Sequence, residues 1–198
     1  MKLAILKIII ISFICSSFIG AAENSFPDSI FISYNNEELD LSLTGETVRK
    51  KFFLKIYSMA HYVEQKPDSS FKNDEIYQYI LQQYSAKQIS MVFLRSLKAE
   101  QIQESLISGI KLNTNDEEYS KILPQVETFM RAINEDVNEN DEFVLRWLPN
   151  GTIVALFQGK EISSIKDENF ARTLWSIWFS DYSVVDRNLL IKKLLTSS

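Results

Sequence analysis

The stretch from Leu43 to Val63 reads LTGETVRKKFFLKIYSMAHYV. From Val48 onward it is rich in Phe, Tyr, Ile and Val, residues that fit a pleated, half-buried surface. Val48 to Val63 is therefore predicted to be one long strand that bends or bulges where Arg49, Lys50 and Lys51 interrupt it. Alternation puts Phe53, Lys55, Tyr57, Met59 and His61 on one face and Leu54, Ile56, Ser58, Ala60 and Tyr62 on the other. Both rows are largely apolar, so both faces of the strand call for cover.

Upstream, Ser29–Ser33 and Leu39–Leu43 are short alternating runs joined by Tyr34-Asn35-Asn36-Glu37, a hairpin whose two Asn can take positive φ. Downstream, Gln65 to Asn73 reads as a loop, and Ile76–Leu81 and Ile89–Arg95 as strands. Helical spacing then takes over. Ala99–Lys111 carries Ile102, Leu106 and Ile110 on one face, and Asp116–Ile133 carries Tyr119, Ile122, Val126, Phe129 and Ile133. Thr114 with Glu117 would cap the second helix, and Pro124 implies a kink or break within it. Phe143–Leu148 and Thr152–Gln158 flank Pro149-Asn150-Gly151, a type I′ hairpin signal, with a short strand at Glu161–Ile165 after it. Two further helices follow, one on Phe170, Leu174, Ile177 and Trp178, the last on Leu190, Ile191, Leu194 and Leu195. Strands, helices, a hairpin and helices again predict an α+β domain whose antiparallel sheet is covered on one side.

Met1 to Ala22 has Lys2 and Lys7, then the uncharged, mostly apolar run Ile8 to Ile19, then Gly20-Ala21-Ala22. This is the pattern of a secretory signal peptide cleaved before Glu23, and its apolar run is shorter than the ~20 residues a membrane span needs. The expectation is a leader at 1–22, a single domain at 23–198, no stable membrane insertion after cleavage, and a secreted or periplasmic home. On a eukaryotic secretory route Asn150-Gly151-Thr152 would be a glycan acceptor. The one cysteine, Cys15, leaves with the leader, so the mature chain has neither disulfides nor thiolate chemistry.

Of 198 residues, 45% are apolar and 24% charged, an ordinary globular composition. Twenty-one Lys and Arg against 26 Asp and Glu give a formal charge of −5, which argues against a nucleic-acid partner. A single histidine, His61, excludes His-rich metal sites, and no HExxH, Walker loop or GxGxxG is present. Ser-His-Asp catalysis would have to use His61 in mid-strand, with no nucleophile elbow anywhere. Neither a metal nor a cofactor is expected. Glu135, Asp136, Glu139, Asp141 and Glu142 lack the calcium-loop pattern and read as a solvated loop.

Arg49, Lys50, Lys51 and Lys55 form a basic cluster, in which Arg49 and Lys51 are expected to share a face with Lys55. A guanidinium in an apolar strand is costly to bury unpaired, so Arg49 must meet an anion or reach water. Either the protein supplies that anion, from Glu46 or Asp40, or a ligand does, with Arg49 as a clamp at the mouth of an apolar cleft and Tyr57 as a nearby hydroxyl. Phe52, Phe53, Trp175 and Trp178 read first as core, and Trp147 as packing on the sheet.

The run from Leu43 to Val63, together with ISMVFLRSLKAEQIQESLISGIKLN at Ile89–Asn113, DEFVLRWLPNGTIVALFQGKEI at Asp141–Ile162 and ENFARTLWSIWFSDYSV near the end, resembles the chalcone isomerase-like family, above all its secreted bacterial branch. The resemblance implies an open-faced β-sandwich, a large antiparallel sheet backed by helices with a ligand cleft between them. It also implies that the family arginine after Gly-x-x-Val is Arg49. The family's strand threonine falls near Tyr57, its helix tyrosine near Ile102, its helix asparagine near Ser108 or Gly109, and its late Ser/Thr on Ile177, or on Ser176 after a one-residue shift. Most groups that order water and substrate in the plant isomerases are thus replaced. Losing even one donor to a developing oxyanion typically costs ~10²–10³ in rate, so chalcone cyclisation is not expected.

Relatives without that activity resemble fatty-acid binders. The leading expectation is therefore a non-catalytic binder of a small apolar or aromatic anion such as a fatty acid, held by Arg49 and Tyr57, with Ile102, Leu106, Ser176 and Ile177 as cleft lining. Two alternatives stay open: an isomerase or lyase acting on an aromatic or enone substrate, and a protein-interaction domain whose cleft is filled by its own side chains.

Overall fold

The computed structural model describes residues 26–195, so the leader assigned to 1–22 lies outside the described residues. Strand β1 (Ser29–Tyr34) turns into β2 (Glu37–Lys51), which turns into β3 (Leu54–Val63). Helix α1 (Asn73–Gln82) precedes β4 (Lys87–Phe93), and α2 (Ala99–Leu112) and α3 (Asp116–Ala132) lead to β5 (Glu142–Trp147), β6 (Thr152–Phe157) and β7 (Lys160–Lys166). Helix α4 (Glu168–Phe179) and two single turns, α5 (Arg187–Leu190) and α6 (Lys192–Leu195), end the described chain. The seven strands form one antiparallel sheet in sequence order, each paired with the next. This is the expected α+β architecture of a large sheet backed by helices.

The helices cover one face. There Met59, Ile89, Met91, Leu145 and Trp147 of the sheet pack against Ile110, Phe129 and the buried run Phe170 to Phe179. The opposite face carries its own smaller cluster, Ile32, Leu41, Leu43, Ala60, Tyr62 and Ala86. Burying these rows removes apolar area from water at roughly 25 cal/mol per Å², which is what holds a sheet this wide to four helices.

Val48–Val63 is not one strand. Its first part is the end of the long β2, its second part is β3, and Phe52-Phe53 make the turn with φ of +48° and +68°. The expected irregularity at 49–51 is present as a register shift, since Arg49 pairs with Tyr57 but Lys50 with Lys55, leaving Ile56 as the extra residue. That bulge flips the face of everything beyond it. Lys55 therefore lies beside Lys50 rather than on the face of Arg49 and Lys51, and Phe52 and Phe53 are exposed at the tip instead of buried in the core.

Ile76–Leu81 is helix, not strand. Ile76, Tyr77 and Ile80 are its buried residues, a helical spacing too short to stand out in the sequence, and the Glu75 carboxylate accepts from the Lys72 N–H at 2.8 Å to start it. The cap of α3 is Asn115 with Glu118, each side chain taking the other's backbone N–H at 2.9 Å. Thr114, one residue earlier, donates instead to the Ile110 carbonyl. Helix α3 runs unbroken through Pro124 because that residue is exposed, where water can serve the carbonyl its ring leaves unbonded. In the β5–β6 turn only Gly151 takes positive φ, at +79°, so the turn is not type I′. The predicted last helix is two short turns, α5 and α6.

A second register shift in β2, between Leu43 and Gly45, inserts Thr44 as a bulge and turns its hydroxyl inward. Thr44 Oγ1 lies 2.6 Å from the Leu190 carbonyl, and Gly45 lies directly beneath α5. A Cβ on Gly45 would stand 2.0 Å from the Leu189 carbonyl oxygen and 2.7 Å from the Leu190 carbonyl carbon, both backbone atoms that cannot swing away. Gly109 of α2 is close only to the side chain of Ile177, at 3.0 Å. Gly45→Ala is expected to destabilise by about 1–3 kcal/mol as an overpacked contact, lowering the thermal midpoint by about 3–10 °C. Gly109→Ala is expected to do less, since Ile177 can adjust. Melting followed by circular dichroism checks the order of the two.

Candidate functional site

Between the helix-covered face of β2–β3–β4 and helices α2 and α4 lies a cleft of about 350 Å³, at the lower end of the size range of small-molecule sites. Its wall is apolar, built from Ile56, Met91, Phe93 and Phe143 of the sheet with Ile102, Leu106, Ile177 and Trp178 of the helices. Pairing explains the arrangement. Arg49 is opposite Tyr57 and Tyr57 is opposite Phe93, so three neighbouring strands present one row to the cleft.

Arg49 donates through Nη1 to the carbonyl of Val184, in the segment between α4 and α5. Its other guanidinium N–H groups have no protein partner among the described residues. Neither acid considered in the sequence reaches it. Glu46 pairs with Ala60 on the opposite face, and Asp40 lies nine residues back along the strand, on the order of 30 Å at ~3.3 Å per residue. Tyr57 accepts a hydrogen bond from the Trp178 indole at 3.1 Å. Burial raises its pKa against the opposing pull of that indole and of Arg49, so the phenol keeps its proton and has it free to donate.

Arg95, just beyond β4, also lines the cleft, and the sequence reading passed over it. Its Nε is buried without a hydrogen-bond partner, and it makes no ion pair among the described residues. Continuing the alternation Met91, Phe93, Arg95 past the end of the strand was the signal that could have found it. Lys51 lines the cleft as well, whereas no Asp or Glu does. Three cations thus line one apolar hollow whose lining holds no carboxylate.

Of the residues named from the sequence, Arg49, Tyr57, Ile102, Leu106 and Ile177 come together around the cleft. Ser176 does not. Neighbours on a helix point about 100° apart, so Ser176 turns to a separate polar hollow and donates to the Thr173 carbonyl at 2.6 Å. Ser108 and Gly109 line a second, polar hollow of about 270 Å³ that shares Arg49 and Lys51 with the cleft and adds Glu104 at its edge. Trp178 is the group that replaces the missing polar partners of Tyr57, and nothing in its spacing distinguished it from core.

Among the described residues no group of three or more His, Cys, Asp or Glu stands together to hold a metal ion. Two of the acids at 135–142 serve local structure. Asp136 takes the Lys98 ammonium at 2.6 Å and the Ala99 N–H at 3.0 Å at the start of α2, and Asp141 takes the Asn138 N–H at 2.7 Å.

The family model described as chalcone isomerase-like matches residues 22–195. No curated protein matches the sequence. Among solved structures, a fatty-acid binding protein of Arabidopsis thaliana is similar with a TM-score of 0.68 at 16% identity, covering 85% of this chain and 90% of that one.

His61 stands apart from this cleft and is wholly built into the core. Trp175 Nε1 donates to its Nε2 at 3.3 Å, which leaves the proton on Nδ1, 2.8 Å from Thr44 Oγ1, and the Thr44 hydroxyl in turn donates to the Leu190 carbonyl. Burial, with the Lys87 charge nearby, pulls its pKa well below the ordinary value. Lys87 itself stacks 3.7 Å over the Trp147 ring, and burial lowers it to about 7, with Arg172 adding to the effect. In both cases the unfolded chain binds the proton more readily than the folded one. Stability is therefore expected to rise with pH, through about 7 to 10.5 from Lys87, and to be lost below about 6.5 as His61 protonates in the unfolded state. Urea unfolding at a series of pH values checks the slope. Ring ¹⁵N shifts of the single histidine should report the Nδ1–H tautomer without titration near 6.5.

Proposed function

The chain belongs to the chalcone isomerase-like family, and from that premise and the geometry of the cleft we propose that it is a non-catalytic binder of a small apolar anion such as a fatty acid. One observation carries the reading: Arg49, Arg95 and Lys51 line an apolar cleft that contains no acid. Arg49 and Arg95 are half-buried in the cleft wall with no carboxylate partner among the described residues, and a carboxylate entering beside them gains charge-assisted hydrogen bonds. Tyr57 adds a neutral donor beside Arg49. The hydrocarbon tail then lies against Met91, Phe93, Ile102, Leu106, Phe143 and Ile177, at roughly 0.8 kcal/mol for each methylene buried.

The fatty-acid binding protein of Arabidopsis, similar in fold, supports this choice of ligand class. An isomerase acting on an enone would need donors where Ile102 and Ile177 stand. A domain with its cleft filled by side chains would have no hollow beside Arg49. On the same reading the mature domain begins at Glu23 and works outside the cytoplasm, which amino-terminal sequencing of the exported protein checks.

Delipidated protein titrated with dodecanoate should bind it, and dodecanol far more weakly. Arg49→Ala should weaken dodecanoate binding about 10- to 100-fold, the loss of a charge-assisted hydrogen bond. Tyr57→Phe and Arg95→Gln should each weaken it by a smaller factor. Affinity for dodecanoate unchanged in Arg49→Ala rejects the proposal.

A further inference from the structure

The tip of the β2–β3 hairpin breaks two rules at once. Phe52 and Phe53 both occupy the left-handed region, where aromatic residues are rare and which Asn or Gly ordinarily fills. The neighbouring β1–β2 turn shows the ordinary solution, with Asn35 and Asn36 at φ +53° and +65°. Phe52 is also 84% exposed, Phe53 entirely so, and Leu54 more than half. Strain and apolar exposure each cost stability, and the described residues leave both rings uncovered.

Along the hairpin itself the residues flanking the tip are basic, with Glu46 and Asp186 entering only in the hollow further back beside Lys50 and Lys55. No Asp or Glu occurs between Glu46 and Glu64, although the whole chain is acidic. The bulge at Ile56 distributes the cations over both faces of the hairpin, Arg49 and Lys51 towards the cleft, Lys50 and Lys55 on the other side. A protruding pair of aromatic rings with cations on both faces of its hairpin matches a plane that is apolar inside and negative on either side, rather than the one-sided pocket a protein would offer.

We propose that the Phe52-Phe53 tip docks the protein on an anionic lipid surface, the two rings entering the boundary between head groups and acyl chains while Lys50, Lys51 and Lys55 meet the lipid phosphates. Phe52 and Leu54 also edge the cleft, so docking brings the mouth of the cleft to the bilayer. That last consequence rests on the proposed fatty-acid binding. The docking itself does not.

Co-sedimentation with phosphatidylcholine vesicles, with and without phosphatidylglycerol, tests it. The native protein should sediment with the phosphatidylglycerol vesicles, little with phosphatidylcholine alone, and be released by high salt. Phe53→Ser, at an exposed position outside the cleft, should lower partitioning by about tenfold or more, the value of burying one aromatic side chain. The double variant Lys50→Gln, Lys55→Gln should lower it by a similar factor, as expected for two charges near an anionic surface. The tryptophan emission of Phe53→Trp should shift to the blue on adding those vesicles. Phe53→Ser should keep the native affinity for dodecanoate in solution and lose only the rate at which it takes dodecanoate from vesicles. Equal vesicle partitioning of the native protein and Phe53→Ser overturns the proposal. So does a native protein that ignores the vesicles, including one whose tip captures only another protein. A protein that sediments with vesicles yet binds no dodecanoate refutes the ligand reading and leaves the docking standing.

Discussion

No side chain fits between β2 and α5, and the rest of the site follows from that contact. Gly45 lets the backbone of Leu189 and Leu190 lie directly on the strand, and the Thr44 hydroxyl, turned inward by its bulge, fastens the Leu190 carbonyl there. The segment between α4 and α5 is thereby held across the edge of the helix-covered face, with the Val184 N–H also bonded to the Ile177 carbonyl at 3.0 Å. This puts the Val184 carbonyl over β2, where it takes one N–H of Arg49. The guanidinium is steered by a neutral dipole, so its direction is fixed while its charge stays uncompensated. A carboxylate in the same place would have steered it equally well and neutralised it.

Much of the fold was legible because its turns carry their own chemistry. Asn35-Asn36 announced the first hairpin and Pro149-Asn150-Gly151 the later one, while α2 and α4 were long enough for their apolar spacing to declare itself. The second hairpin was not legible, because a turn made of Phe52-Phe53 looks like the middle of a strand. That one misreading carried others with it. It merged two strands, placed Lys55 on the wrong face and assigned two exposed rings to the core, although the irregularity at 49–51 was itself foreseen. Ile76–Leu81 failed for a different reason: six residues cannot separate a buried helical face from a buried strand.

The site divided along similar lines. Arg49 was legible because a cation inside an apolar strand is an anomaly that demands an explanation, and Tyr57 followed from its place on the same row. Arg95 sat at the fraying end of a predicted strand, where nothing marks a cation as lining a cleft. Ser176 illustrates the opposite error. Neighbouring residues on a helix face different ways, and a one-residue ambiguity in a family correspondence decides between the cleft, where Ile177 stands, and the hollow behind it. The partner of Tyr57 proved to be an indole, which supplies a single donor and no acceptor. The phenol is therefore left with a proton and no acceptor for it among the described residues, which is the requirement for meeting an oxygen of a visiting anion.

A fixed charge of this kind has a consequence for how the empty and filled states compare. Arg49 and Arg95 line the same apolar space, and the reduced dielectric there makes an anion beside them worth more than it would be in water. The folded chain is held in that arrangement by contacts remote from the cleft, chiefly the Gly45 crossing and the neutral network of Thr44, His61 and Trp175. Ligand binding then draws on energy that the fold has already committed, with little rearrangement required of the side chains. The same β2–β3 hairpin is clamped by α5 at one end and free at the other, with the charged row between. Close packing at Gly45 and exposure at Phe53 thus mark the two ends of one hairpin, and Arg49 stands between them, within reach of the contact that fixes its direction.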